Sequence, residues 1–205
     1  IASSRGTDVR RLPAARAAGA SLRDFAWLPD GRTIVTLRGR GLWATALDEA
    51  EPVLLATIGD GASALTVSPD GSRVAWLQNG DLWLLDLYTR TVRAATDLGI
   101  PPLSALGAGR YSRPEREIGP GIWSGPTYAW SPDGRYIAVH YVDRRDMRTV
   151  PFPDYLAPET DPTPVRRGYP GDPNESRHVG LLDLEQGDLR LLDVEDPTAN
   201  QVLDF

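Results

Sequence analysis

The 205-residue sequence has no cysteine and no lysine, and it holds only one methionine, two histidines and three phenylalanines. Without cysteine there can be no disulfide, thiol nucleophile or thiolate metal site, although the cellular compartment stays open because exported proteins also dispense with cysteine. All 22 basic residues are arginine, a bias that reflects a GC-rich coding sequence more than a function. They are outnumbered by 28 acidic residues, for a formal charge of −6, so the clustered basic footprint of a nucleic-acid binder is missing. No apolar run approaches the roughly 18 residues of a membrane helix, and the opening Ile1-Ala2-Ser3-Ser4-Arg5 lacks the charged and apolar regions of a signal peptide. Nucleic acid and membrane are therefore not expected as partners.

The sequence is rich in punctuation: 18 prolines and 20 glycines stand beside 41% hydrophobic residues. That mixture predicts many short strands joined by tight turns, in one all-β domain. Internal repetition sharpens the prediction. Phe25-Ala26-Trp27-Leu28-Pro29-Asp30-Gly31, Leu65-Thr66-Val67-Ser68-Pro69-Asp70-Gly71 and Tyr128-Ala129-Trp130-Ser131-Pro132-Asp133-Gly134 match one another. Each is followed at the same offset by an apolar β-forming run, at Thr33-Ile34-Val35, Arg73-Val74-Ala75 and Tyr136-Ile137-Ala138. In the shared turn, proline fixes φ as the first strand ends, the aspartate bonds its own backbone, and glycine takes a positive φ.

A second turn follows in the first two repeats, at Arg38-Gly39-Arg40-Gly41 and Asn79-Gly80, and then a third strand at 42–47 and 82–87. Asn-Gly is a strong signal for a two-residue hairpin. Fourth strands are expected at 52–56 and 91–95. Four antiparallel strands per repeat, with Pro29 and Pro69 separated by 40 residues, describe a propeller blade. The expected fold is a partial β-propeller of about three four-stranded antiparallel blades, at 22–58, 64–97 and 127–194, plus flanking strands at Asp8–Leu12 and Val202–Phe205. Two insertions interrupt it, at 97–127 and 143–177, the latter lying between the second strand of the third blade and its third strand near 178–184. Insertions of this length in a compact domain carry function or stay irregular.

The Trp-Ser-Pro-Asp-Gly hairpin alone is shared by many propellers. The third repeat is more specific: Trp130-Ser131-Pro132-Asp133-Gly134-Arg135-Tyr136-Ile137-Ala138, then Val150-Pro151-Phe152-Pro153-Asp154-Tyr155, Tyr169-Pro170-Gly171-Asp172-Pro173-Asn174 and the strand Val179 to Leu184. This series resembles the N-terminal propeller of the dipeptidyl peptidase IV family of serine peptidases. The resemblance implies a parent enzyme that removes dipeptides from peptide N-termini, preferring Pro or Ala in second place. Its catalytic triad would lie in a C-terminal α/β-hydrolase domain absent from these residues, so no catalytic residue is assigned here. His140 and His178 both fall in strand patterns, without the nucleophile elbow that a triad histidine serves.

In that family the first insertion carries a short helix whose adjacent glutamates bind the α-amine of the substrate. The corresponding stretch is Tyr111-Ser112-Arg113-Pro114-Glu115-Arg116-Glu117, which makes Glu117 and Glu115 the candidate amine-binding residues. Arg116 interrupts the pair, and Ser112-x-x-Glu115 also fits a capping box in which Glu115 only holds a helix start. The second insertion, with prolines at 151, 153, 158, 162 and 164, should project instead of pairing within its own blade. In the family it forms an arm that contacts a second subunit, and Val150, Phe152, Tyr155 and Leu156 would supply its apolar face. Asp143, Asp146, Asp154, Asp161 and Asp172 lie among turn residues without metal-ligand spacing, so no metal or other cofactor is expected. The expected role is a non-catalytic propeller segment that gates access and helps bind the substrate N-terminus, partnered by the hydrolase domain and by a second copy. The alternative is a stand-alone propeller that binds other proteins.

Overall fold

The computed structural model describes residues 22–49, 51–98, 115–119, 127–152, 163–166 and 168–192. Every regular element among them is a β-strand. The first sheet comprises β1 (Leu22–Trp27), β2 (Thr33–Arg38), β3 (Gly41–Ala46) and β4 (Val53–Thr57), and the second β5 (Ser63–Val67), β6 (Arg73–Gln78), β7 (Asp81–Asp86) and β8 (Val92–Ala94); in each, the strands pair in chain order. The third sheet joins β10 (Tyr128–Trp130), β11 (Tyr136–Asp143), β14 (Ser176–Asp183) and β15 (Asp188–Leu191), and adds β9 (Arg116–Ile118) beside β11. β12 (Thr149–Phe152) and β13 (Thr163–Arg166) form a separate two-stranded ribbon. The architecture is all-β, a partial propeller of antiparallel sheets; the flanking strands expected near residues 8 and 202 lie outside the described residues.

The repeated turn is built as its residues dictate. Gly31, Gly71 and Gly134 have φ of 64°, 73° and 70°, a region that side chains resist. Asp30 accepts from the backbone N–H groups of Arg32 (2.8 Å) and Thr33 (2.9 Å), while Asp70 accepts from Ser72 N (3.0 Å) and the Ser68 hydroxyl (2.6 Å). The flanking strands close with the same backbone bond each time, Leu28 N to Thr33 O, Ser68 N to Arg73 O and Ser131 N to Tyr136 O, all 2.9 Å. At the second turn of the second sheet Asn79 and Gly80 both take positive φ, 55° and 83°, the twist-matching geometry of a two-residue hairpin.

The described chain divides into two compact units, the first two sheets in one and the third sheet with the ribbon in the other. In the first, Val35, Leu37, Leu42, Leu65, Val74 and Trp76 belong to one buried cluster, and Trp76 stacks on Trp83 at 6.5 Å between centroids. Trp27 is half-exposed on β1. In the second unit Ile118, Tyr128, Ile137, Val139, Val142 and Leu182 are buried.

The first insertion departs from expectation. The short helix anticipated through Glu117 is not what residues 115–119 form: Arg116–Ile118 is a strand, paired antiparallel with Asp143, Val142 and Tyr141 of β11. β11 is eight residues long, and β10 pairs only with its residues 137–139. Its overhanging end therefore offers unpaired backbone groups, and β9 takes them; Gly119 N to His140 O and His140 N to Thr127 O, both 3.1 Å, bridge the changeover. Satisfying buried backbone outweighs any local helical tendency here.

Candidate functional site

Both predicted glutamates sit on this added strand or immediately before it. Alternation along β9 sends the side chains of Arg116 and Ile118 one way and that of Glu117 the other. The Glu117 side chain is only 17% exposed, and its Oε1 forms an ion pair with Arg144 Nη2 at 2.7 Å. Arg144 follows directly on β11, is 2% exposed, and donates from Nε to Glu175 Oε2 at 2.8 Å. Its own backbone N–H continues the β9–β11 ladder by donating to Glu115 O at 2.8 Å. Glu175, just before β14, accepts on its other oxygen from Arg177 Nε at 3.0 Å and from Arg177 Nη2.

These contacts make a line of alternating charges, Arg177, Glu175, Arg144, Glu117. Burial opposes ionisation of Glu175, yet the hydrogen bond from Arg177 and the charge of Arg144 prevail and hold its carboxyl below the ordinary value of 4.5. The line ends on a carboxylate: among the described residues Glu117 Oε2 has no hydrogen-bond partner. A group with one satisfied oxygen and one open oxygen, in a half-dry position, is chemically suited to accept from a cation.

Glu115 has a different setting. It pairs with Arg166 of β13, whose Nη1 also reaches the carbonyls of Arg145 (3.1 Å) and Met147 (3.2 Å). Arg166 thus ties the root of the ribbon to the turn after β11 and to the entry of β9, with Arg148 and Asp172 paired nearby at 3.0 Å. The capping box cannot be followed, because Ser112 lies outside the described residues.

Of the arm residues, Val150 and Phe152 fall on β12, opposite Val165 and Thr163, and Tyr155 and Leu156 lie outside the described residues. His140 is buried in β11, and His178 on β14 lies 6.3 Å from the ring of Tyr141. Asp143 holds Arg145, with Nη2 to Oδ2 at 2.5 Å; that hydrogen bond keeps the carboxyl below its usual value. Among the described residues no three His, Asp or Glu side chains are grouped to hold a metal ion. Sequence reasoning found both glutamates but none of Arg144, Arg166, Glu175 and Arg177. The one available signal was the density of arginine and acid at both ends of the second insertion.

Comparison with known proteins adds the final observations. The family described as "Dipeptidyl peptidase IV (DPP IV) N-terminal region" matches residues 40–203. The probable dipeptidyl-aminopeptidase B of Arthroderma gypseum is 26% identical over 144 residues, which are 64% of this chain and only 15% of that protein. The crystal structure of Porphyromonas gingivalis dipeptidyl peptidase 4 superposes with a TM-score of 0.63 at 14% identity, covering 95% of this chain and 29% of that one. Oligogalacturonate lyase from Vibrio parahaemolyticus also superposes, with a TM-score of 0.52 at 17% identity over 83% of this chain and 39% of its own. The likeness in fold is thus shared by proteins of different chemistry.

Proposed function

The chain belongs to the dipeptidyl peptidase IV N-terminal region family, and from that premise we propose that it is the non-catalytic propeller portion of a dipeptidyl-peptidase-IV-like serine exopeptidase. In this reading the propeller gates access to a C-terminal α/β-hydrolase domain, and Glu117 receives the free α-amine of the substrate. Glu115 adds negative charge beside it while anchoring the arm. The observation that carries the reading is the open end of the charge line. Arg177, Glu175 and Arg144 are matched in sequence, and an ammonium at Glu117 Oε2 continues the alternation. Selecting a free N-terminus this way needs no metal and no nucleophile from the propeller.

The arm follows from the same premise. The β12–β13 ribbon is separate from the third sheet, and we assign Val150 and Phe152, with Tyr155 and Leu156 beyond them, to contact with a second copy of the chain. The reading is tested in the full-length protein with Glu117→Gln, which keeps shape and removes charge. kcat/KM on a Gly-Pro chromogenic amide should fall by about 10- to 100-fold, the worth of one charge-assisted hydrogen bond. An unchanged constant refutes the assignment of Glu117.

A further inference from the structure

A carboxylate that recognises an ammonium must be held still, and among the described residues the ion partner of this one is Arg144. A glutamate side chain loses up to about 2 kcal/mol of rotamer freedom when fixed. If substrate binding had to fix it, affinity would fall accordingly. Arg144 is already fixed: it is 2% exposed, one guanidinium nitrogen is committed to Glu175 at 2.8 Å, and its backbone is in the ladder to Glu115. The same planar group reaches Glu117 at 2.7 Å.

We propose that Arg144 is the positioning residue of the amine site: it locks Glu117 by one oxygen and presents the other, and Glu175 keeps Arg144 from taking both. This rests on the reading of Glu117 given above. The division of labour follows from geometry. An arginine facing a single carboxylate tends to pair with it through two parallel hydrogen bonds, which here would consume Oε2 of Glu117. With Nε committed to Glu175, the close approach to Glu117 is made by Nη2. Arg177 in turn occupies the second oxygen of Glu175, so that carboxylate has no reason to swing toward an incoming cation. The three residues convert a flexible acid into a single oriented acceptor. A lysine at position 144 would keep the net charge and lose the fork, since one ammonium on a flexible stem cannot hold two carboxylates in fixed directions.

The test uses the full-length protein and two substrates that differ only in the amine, glycyl-prolyl-p-nitroanilide and acetyl-prolyl-p-nitroanilide. The ratio of their kcat/KM values measures amine recognition and cancels any loss of folded enzyme. Arg144→Lys should lower the ratio about tenfold, through a higher KM for the glycyl substrate at nearly constant kcat. Glu175→Gln should lower it in the same direction, because Arg144 is released to close on Glu117. A ratio that stays within about twofold of wild type in Arg144→Lys overturns the proposal, and if that variant does not fold, the ratio in Glu175→Gln decides in its place. Glu117→Gln separates the two levels of the argument. If it lowers the ratio while Arg144→Lys and Glu175→Gln do not, only the positioning role fails; if it leaves the ratio intact, the amine site itself fails and this proposal with it.

Discussion

Replacing Asp70 by alanine probes the repeated turn on which the sheets are built. The carboxylate accepts from the Ser68 hydroxyl at 2.6 Å, from Ser72 N at 3.0 Å and from the Ser72 hydroxyl at 2.7 Å. Led by the Ser68 bond, these contacts lower its pKa from 3.8 to about 2. A shift of that size is worth about 2.5 kcal/mol when fully expressed, but the turn is exposed, and solvent screening reduces the share available to stability to about 1 kcal/mol. Because the folded value is depressed, the stabilisation is complete above the unfolded value of 3.8 and drains away as pH falls toward about 2. Asp70→Ala should therefore be less stable than the parent by about 1 kcal/mol near neutral pH, with roughly half that gap closed by about pH 3. Urea unfolding of both proteins at several pH values measures this. A gap that persists undiminished in acid would refute the argument, because it would mean that the ionised carboxylate is not the source of the stability.

Gly180→Ala should cost about 1–3 kcal/mol in the same assay, since a Cβ there would sit 2.9 Å from both Val139 Cγ2 and Leu189 Cδ1. Arg166→Met should loosen the arm root, removing the partner of Glu115 and of three carbonyls; faster hydrogen exchange at Arg145 and Met147 with the first two sheets unchanged is the expected signature. Deleting Thr149 to Pro164 from the full-length protein should reduce its mass by light scattering from dimer to monomer, and an unchanged dimer refutes the arm contact.

Much of the fold was legible because its signals are local. Pro-Asp-Gly and Asn-Gly turns name their own geometry, and the strands they join are adjacent in sequence, so strand limits expected at 42–47 and 82–87 are found at 41–46 and 81–86. β9 was illegible because Arg116-Glu117-Ile118 has too few residues for alternation to show; it is a strand only because β11 overhangs β10. The ribbon was hidden by its prolines. Pro151 faces Pro164, which a two-stranded ribbon tolerates where the missing N–H groups would point outward, away from the partner. At the site, the acids could be read by resemblance, whereas Arg144 and Glu175 are 31 positions apart and meet only once β11 and β14 have paired.

That pairing sets an order of events. β6 and β7 are joined by Asn79 and Gly80 alone, whereas the chain between β11 and β14 runs from Arg144 to Glu175. Closing a span some four doublings longer costs about 2 kcal/mol more in chain entropy, so the third sheet should zip after the second. The two residues at the lips of this span carry opposite charges and end 2.8 Å apart. Their attraction is felt only within roughly 10 Å at moderate salt, so it acts once pairing has begun to bring the lips together and favours the register in which they meet. The ion pair at the candidate site should thus also help to close the third sheet, and raising the salt concentration should slow its formation while leaving the first two nearly unaffected.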